Sequence, residues 1–383
     1  MSKKVFTILA VLLAASMVLS ACAQATIAPT EAPTTAATVA AATTAAPAAT
    51  TAAPAATTAG KKVLACMVTD IPKVFDKSFN ETTWKGITDA QSQLGTDGKY
   101  LTSNSAADYD KNIQSMIDGK CDLIIGTGYL LEDAIKKAAT ANPTVNFAIV
   151  DDSYSPAIAN VSGQVFQTDE ASYLAGYLAA GMSKSGVVGT FGGLPIPSVT
   201  IFMDGFARGV DAYNTKHSTT VKVLGANETD ATKGTFAGSF TDQTKGKDIA
   251  NSMMDEKADV IMPVAGPVGY GAAAAALERG GVYIIGVDSD WYLPDENASY
   301  RPILLTSVMK RMDTTILDTI KAVKDGTFKG GVIIGNLSNS GVALAPYHDT
   351  DSKIPADLKA EITALQADIV AGKVTLNPSF HLK

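Results

Sequence analysis

Histidine and cysteine are scarce. The 383 residues hold three histidines, His217, His348 and His381, each isolated, and three cysteines. None has the spacing of a metal site. No GxSxG nucleophile elbow and no P-loop occurs. Paired carboxylates stand at Asp151/Asp152 and Asp288/Asp290, but neither pair has an evident acid/base partner. These absences point away from hydrolytic, phosphoryl-transfer and metal chemistry, so no catalytic residue, cofactor or metal is expected. A long apolar run is also missing. The best, residues 5–19, has about fifteen residues, too few for a comfortable membrane span.

That run follows Lys3 and Lys4 and ends in Leu19-Ser20-Ala21-Cys22. A basic start, a short apolar stretch and small residues make a signal peptide over 1–21. The approach to the cysteine resembles the bacterial lipobox, which implies acylation of Cys22 and a lipid anchor, with several acyl chains as stable anchoring requires. Residues 23–60 are nearly all Ala, Thr and Pro, with TTAAPAA twice in tandem. Such a segment has nothing to bury. It reads as a tether, roughly 35 Å between ends as a coil and about 120 Å if fully extended. The expected location is extracytoplasmic, at the cell surface or the periplasmic face of a bacterial membrane, held by lipid alone. Removing Lys3 and Lys4 takes the formal charge from −7 to −9. An acidic balance argues against nucleic acid and anionic lipid as partners.

From Lys61 the chain is too long for one small domain, and two lobes are expected. Short apolar runs alternate with helical patterns: VLACMVTD, a helix near 78–95, CDLIIGTG, a helix over 130–141, NFAIVDD. A second series follows, with VVGTFGG, TVKVLG, DVIMPVAG and VYIIGVDSD as its strands. Near-continuous apolar strands separated by helices mean parallel sheets covered on both faces, an α/β fold. The strands end in Asp70, Gly126-Thr-Gly128, Asp151-Asp152, Gly192-Gly193, Gly266 and Asp288-Ser-Asp290. Ligands of open parallel sheets bind beyond those carboxyl ends, so these residues outline a cleft. Cys66 lies mid-strand and Cys121 opens another strand. If the strands are parallel neighbours, the cysteines are offset by roughly 10 Å, beyond disulfide reach, and two buried thiols are expected.

Gly269-Tyr-Gly271-Ala-Ala-Ala274 matches GxGxxA, and Asp288 ends the next strand. This is the form of a dinucleotide fingerprint, but a lone match is weak. In DKSFNETTWKG, Ser78-x-x-Glu81 reads as a capping box, with Phe79 the first helical residue. Trp84, Ile87, Gln91 and Leu94 form the expected buried stripe. Phe79 lies roughly 75° off it, above the end of the preceding strand, and together with Asn80 it is expected to face the cleft.

In order, VTD…DKSFNETTWKG, FAIVDD, FQTDEASYLAGYLAAGM, VGTFGG…FMDGFARGV, GSFTD…KGKDIA and IGVDSD resemble the basic membrane protein family of lipoproteins, which includes purine-nucleoside receptors of ABC importers. The resemblance covers 61–350. It implies a type I periplasmic-binding fold: two Rossmann-like lobes joined by several crossovers, closing on ligand by a hinge. The lobes are expected at 61–168 plus about 289–330, and at 169–288 plus about 331–383. The resemblance implies a base sandwiched by Phe79 and Phe240, flanked by Asp70 and Asn80. Asp151 or Asp152 would meet a base edge, and Asp288 and Lys310 the ribose. Gly266 closes the expected ligand-binding set. Stacking is worth about 1–3 kcal/mol per base, and a carboxylate accepts vicinal hydroxyls with charge-assisted strength. One departure stands out. Family members usually carry glycines between the first Asp and DKSFN, whereas this loop, Ile71-Pro-Lys-Val-Phe75, has none.

The function expected is a membrane-tethered monomer that captures a small ligand, foremost a purine nucleoside, and delivers it to an ABC permease. The alternatives are a different solute, such as a sugar or signalling molecule, a surface interaction lipoprotein, and an exported nucleoside-acting enzyme.

Overall fold

The computed structural model describes residues 62–71, 73–227 and 229–376. The signal peptide, Cys22 and the tether lie outside the described residues.

Two six-stranded sheets organise the described residues. The first contains β1 (Leu64–Thr69), β2 (Asp97–Leu101), β3 (Leu123–Thr127), β4 (Asn146–Val150), β5 (Val161–Phe166) and β11 (Gly331–Gly335). Its order is β11-β5-β4-β3-β1-β2, all parallel. The second contains β6 (Val187–Gly192), β7 (Lys222–Leu224), β8 (Val260–Val264), β9 (Tyr283–Asp288), β10 (Leu304–Lys310) and β12 (Val342–Leu344). Its order, β12-β10-β9-β8-β6-β7, repeats the first position by position, except that β12 runs antiparallel to β10. Central strands are buried along nearly their whole length, as parallel strands covered on both faces must be.

The chain passes between the sheets three times: from β5 through α4 (Thr168–Met182), from β10 through α8 (Met312–Lys324), and from β11 into β12. This corrects the expected lobe boundaries. Residues 304–310 were expected in the first lobe and pair instead with β9 in the second sheet. Residues 331–335 were expected in the second lobe and pair with β5 in the first. The segment between β9 and β10 holds only two single 3-10 turns, so the chain returns beside β9. It crosses one element later, through α8, which packs on α1 (Phe79–Leu94) in the first lobe. There Gly86 leaves room for the Asp313 carbonyl, which a Cβ would approach to 2.6 Å.

The thiol expectation is also overturned. Cys66 and Cys121 form a disulfide with a Cα separation of 6.0 Å. The register argument placed Cys121 in line with β3, but β3 starts at Leu123. Cys121 still belongs to the turn after α2 (Tyr109–Asp118), where Lys120 has φ +58° and the Cys121 N–H bonds the Met116 carbonyl. It therefore lies over the sheet face to which Cys66 points, in the cluster of Ile113, Met116 and Ile124.

The α1 start differs as well. The Ser78 side chain makes no capping bond. Asp76 is the cap: its carboxylate accepts from the N–H groups of Ser78, Asn80 and Glu81 at 2.9–3.0 Å. Glu81 accepts instead from the Lys77 N–H. The buried stripe runs through Asn80, Thr83, Ile87 and Ala90. Trp84 is only partly buried and sets its edge against Tyr100, 5.0 Å away.

Candidate functional site

The carboxyl ends of both sheets face a common cleft. Asp151, just past β4, and Asp288, the last residue of β9, occupy matching positions in the two sheets, and both have left-handed backbone conformations, φ +73° and +69°. Aspartate tolerates that region better than most residues. The turn aims each carboxylate off its strand end into the cleft.

Lys310 ends β10 with 2 % of its surface exposed. Its Nζ donates to both Asp151 oxygens at 2.8 Å and lies 3.9 Å from Asp288. The same ammonium stands 4.6 Å over the Phe79 ring, a cation–π distance. One cavity of about 60 Å³ is lined by Asp70, Phe79, Asp151, Phe240, Gly266, Asp288 and Lys310. Seven of the sequence-derived candidates thus come together. Asn80 and Asp152 do not join that lining. Asn80 is fully buried and its amide donates to the Lys73 carbonyl. Asp152 lines a neighbouring chamber with Asp151.

Close approach fixes two walls. Phe240 lies on Gly193, where a Cβ would fall 2.2 Å from the ring. The Asp70 carboxylate lies on Gly128, where a Cβ would fall 2.0 Å from Oδ2 and φ is +118°. Burial, with Asp151 next in effect, pushes Asp70 up to about 8. Burial pushes Asp76 up to about 7 against its three backbone donors. Burial also raises Asp151, although Lys310 pulls it down. One ammonium thus stands between Asp151 and Asp288, in a cavity where burial holds Asp70 and Asp76 toward their uncharged forms.

Other residues at the cleft carried little signal in the sequence. Tyr129, Ser198 and Phe202 line it. Ser198, beside the proline that opens α5 (Pro197–His217), hydrogen-bonds Asp151. Asp76 was readable in principle, as an acid just ahead of a helix.

The GxGxxA stretch opens α7 (Gly269–Arg279), and packing accounts for its glycines. A Cβ on Gly269 would meet Trp291 at 2.7 Å, and one on Gly271 the Gln243 carbonyl at 1.9 Å. Tyr270 stacks on Trp291 with centroids 4.5 Å apart. Its hydroxyl donates to the Lys77 carbonyl in the other lobe. Among the described residues there is no group of three or more His, Cys, Asp or Glu able to hold a metal, and no helix long and apolar enough to cross a membrane.

The family model for Bmp, described as ABC transporter substrate-binding protein PnrA-like, matches residues 63–374. The chain belongs to this family. It is 35% identical over 328 residues to the ABC transporter nucleoside-binding protein BmpA of Lactococcus lactis subsp. cremoris, covering 82% of this chain and 88% of that protein. It is 32% identical to basic membrane protein A of Borreliella burgdorferi, over 79% of this chain and 86% of the relative. A solved ABC transporter solute-binding protein from Aeropyrum pernix K1 superposes with a TM-score of 0.73 at 24% identity, covering 82% and 93% of the two chains, and so shares the fold. Bmp-family proteins are substrate-binding components of ABC transporters, not an enzyme family, and work outside the cytoplasm with a small ligand and a permease.

Proposed function

We propose that this Bmp-family protein binds a purine nucleoside between its two lobes and hands it to its permease as a lipid-anchored monomer. The observation that carries the reading is the meeting of Phe79 and Phe240, from opposite lobes, in one cavity whose polar side is Asp151, Lys310 and Asp288. Two aromatic faces suit a flat ring; carboxylates beside an ammonium suit a base edge and vicinal hydroxyls. Asp151 and Asp288 already occupy the Lys310 ammonium, which leaves no free cation among the described residues of the cavity lining for a phosphate and favours an uncharged nucleoside over a nucleotide. The Lactococcus relative bears a nucleoside-binding name.

The mechanism follows from the contacts. In this arrangement the Lys310 ammonium covers Phe79, and about 60 Å³ is little room for a nucleoside. The lobes must part for ligand to enter. The base then takes the ring face, the ammonium moves toward the ribose beside Asp288, and the lobes close. Cys22 and the tether keep the closed protein near its permease.

Calorimetry with inosine, guanosine and adenosine tests this. Binding is expected, and Phe79→Ala and Phe240→Ala should each weaken it by about 5- to 150-fold, from stacking of about 1–3 kcal/mol. No heat with any nucleoside sinks the purine reading. Binding of a sugar that ignores both substitutions installs the alternative solute. Mass analysis of membrane-extracted protein for an acylated N-terminal Cys22 tests the anchor.

A further inference from the structure

A second chamber adjoins the Phe79 cavity. Its volume is about 270 Å³, several times larger than its neighbour. The two share Tyr129, Asp151, Ser198 and Lys310 as a common wall, so the space beyond Asp151 continues the cleft. The far walls are apolar, Val165, Phe166 and Ile201, and the rim is formed by Val332 and Ile334 of β11. The last two stand two apart on a strand and share its face. Thr168 lines the same chamber with 1 % of its surface exposed, and its Oγ1 has no hydrogen-bond partner among the described residues. A mainly apolar space that continues a polar-edged cleft is built like a small-molecule pocket.

We propose that this chamber is a substituent subsite: it accepts an uncharged, mainly apolar group carried on the ring edge that faces Asp151. The inference rests on the purine reading and goes beyond it to the breadth of ligands. A ring lying on Phe79 with its polar edge at Asp151 points whatever that edge carries past Ser198 into the chamber. A singly substituted exocyclic amine keeps one N–H for the Asp151 carboxylate, so the enlarged ligand loses no hydrogen bond. Asp151 and Asp152 at the entrance disfavour an anionic substituent.

The probes are adenosine and N6-benzyladenosine, measured by calorimetry on the complete chain and on Val332→Trp and Ile334→Trp. Both positions sit on the chamber rim, 47 % and 45 % exposed, and neither lines the Phe79 cavity. Wild-type protein is expected to bind N6-benzyladenosine at least as tightly as adenosine. The indole variants should keep adenosine within about threefold and lose at least about tenfold for the benzyl ligand, the loss expected when a buried apolar group is excluded. If wild-type protein binds adenosine and rejects the benzyl ligand, the subsite is overturned while the purine reading stands. If it accepts both and the indole variants do too, the substituent lies elsewhere and the chamber is again overturned. If neither ligand binds, the purine reading has failed and the subsite with it.

Discussion

The Tyr270 hydroxyl donates to the Lys77 carbonyl at 2.8 Å, joining the second lobe to the first. The same carbonyl accepts from Ser289 Oγ at 3.1 Å, and the neighbouring Ser78 donates to Asp288 Oδ2 at 2.7 Å. Lys77 has φ +60°, which turns its carbonyl toward the opposite lobe. The residues ahead of α1 thus bond the carboxyl end of β9 and the start of α7.

Tyr270→Phe removes one of these bonds and keeps the ring stacked on Trp291. A hydrogen bond of this type is worth about 0.5–1.5 kcal/mol net, so ligand affinity should fall about 2- to 10-fold. The bond crosses between the lobes, so on the closing mechanism proposed above the loss should appear in the dissociation rate. Stopped-flow fluorescence separates the two rates. A slower association with unchanged dissociation rules out this role for the bond.

Asp70→Asn should change the pH dependence of stability. The Asp70 carboxyl is raised by burial, then by Asp151, from 3.8 to about 8. The folded protein therefore holds this proton over a window where the unfolded chain has released it. The stability it contributes is complete below 3.8 and is lost as pH rises through about 8. Asparagine has no proton to lose. The melting temperature of the variant relative to wild type should climb between pH 4 and 8 and then level off, by roughly 2–4 °C for each kcal/mol. A difference that stays flat with pH excludes a raised Asp70.

Lys310→Met leaves Asp151 buried without its cation. Breaking one side of a buried ion pair costs about 3–5 kcal/mol, and Lys310 is the main group lowering the Asp151 pKa. Urea unfolding should register the loss, and Asp151→Asn added to Lys310→Met should recover much of it. If the double variant is as unstable as the sum of the singles, the two side chains do not act as a pair.

The alternation of strands and helices was legible because parallel strands buried on both faces read as unbroken apolar runs. Much of the cleft was legible for a related reason: in such sheets the chain must turn at strand ends, and Asp151, Gly266 and Asp288 mark those turns. What the sequence hid was which sheet each late strand joins. β11 is an edge strand whose Val332, Ile333 and Ile334 remain substantially exposed, so its pattern gives no partner, and local composition does not encode a crossing. Side-chain competition was hidden too. Ser78 and Glu81 have the spacing of a capping box, but Asp76 takes the helix N–H groups, which leaves Ser78 for Asp288. The GxGxxA pattern is ambiguous because close helix packing, as at Gly269 and Gly271, demands glycines just as a phosphate does.

The disulfide offers a test of the first lobe alone. Cys66 is in the middle of β1 and Cys121 before β3, with 55 residues of separation enclosing α1, β2 and α2. Chain-entropy reasoning gives a closed loop of that size about 4 kcal/mol of stabilisation. The bond lies under α2, on the far side of the sheet from the packed α1 and α8, in the smaller of the two hydrophobic clusters. None of the cleft residues belongs to that cluster. Cys66→Ala combined with Cys121→Ala should therefore lower the urea midpoint markedly while leaving ligand affinity within about threefold, since a change that leaves the cleft side chains in place adds little to binding. The paired substitution is the right one, because a single change would leave a free thiol able to cross-link. Thiol titration of denatured wild-type protein, with no reactive cysteine from this pair before reduction and two after, checks the bond directly. Two free thiols before reduction would return the first lobe to the unbridged state, and the unfolding midpoint should then ignore added reductant.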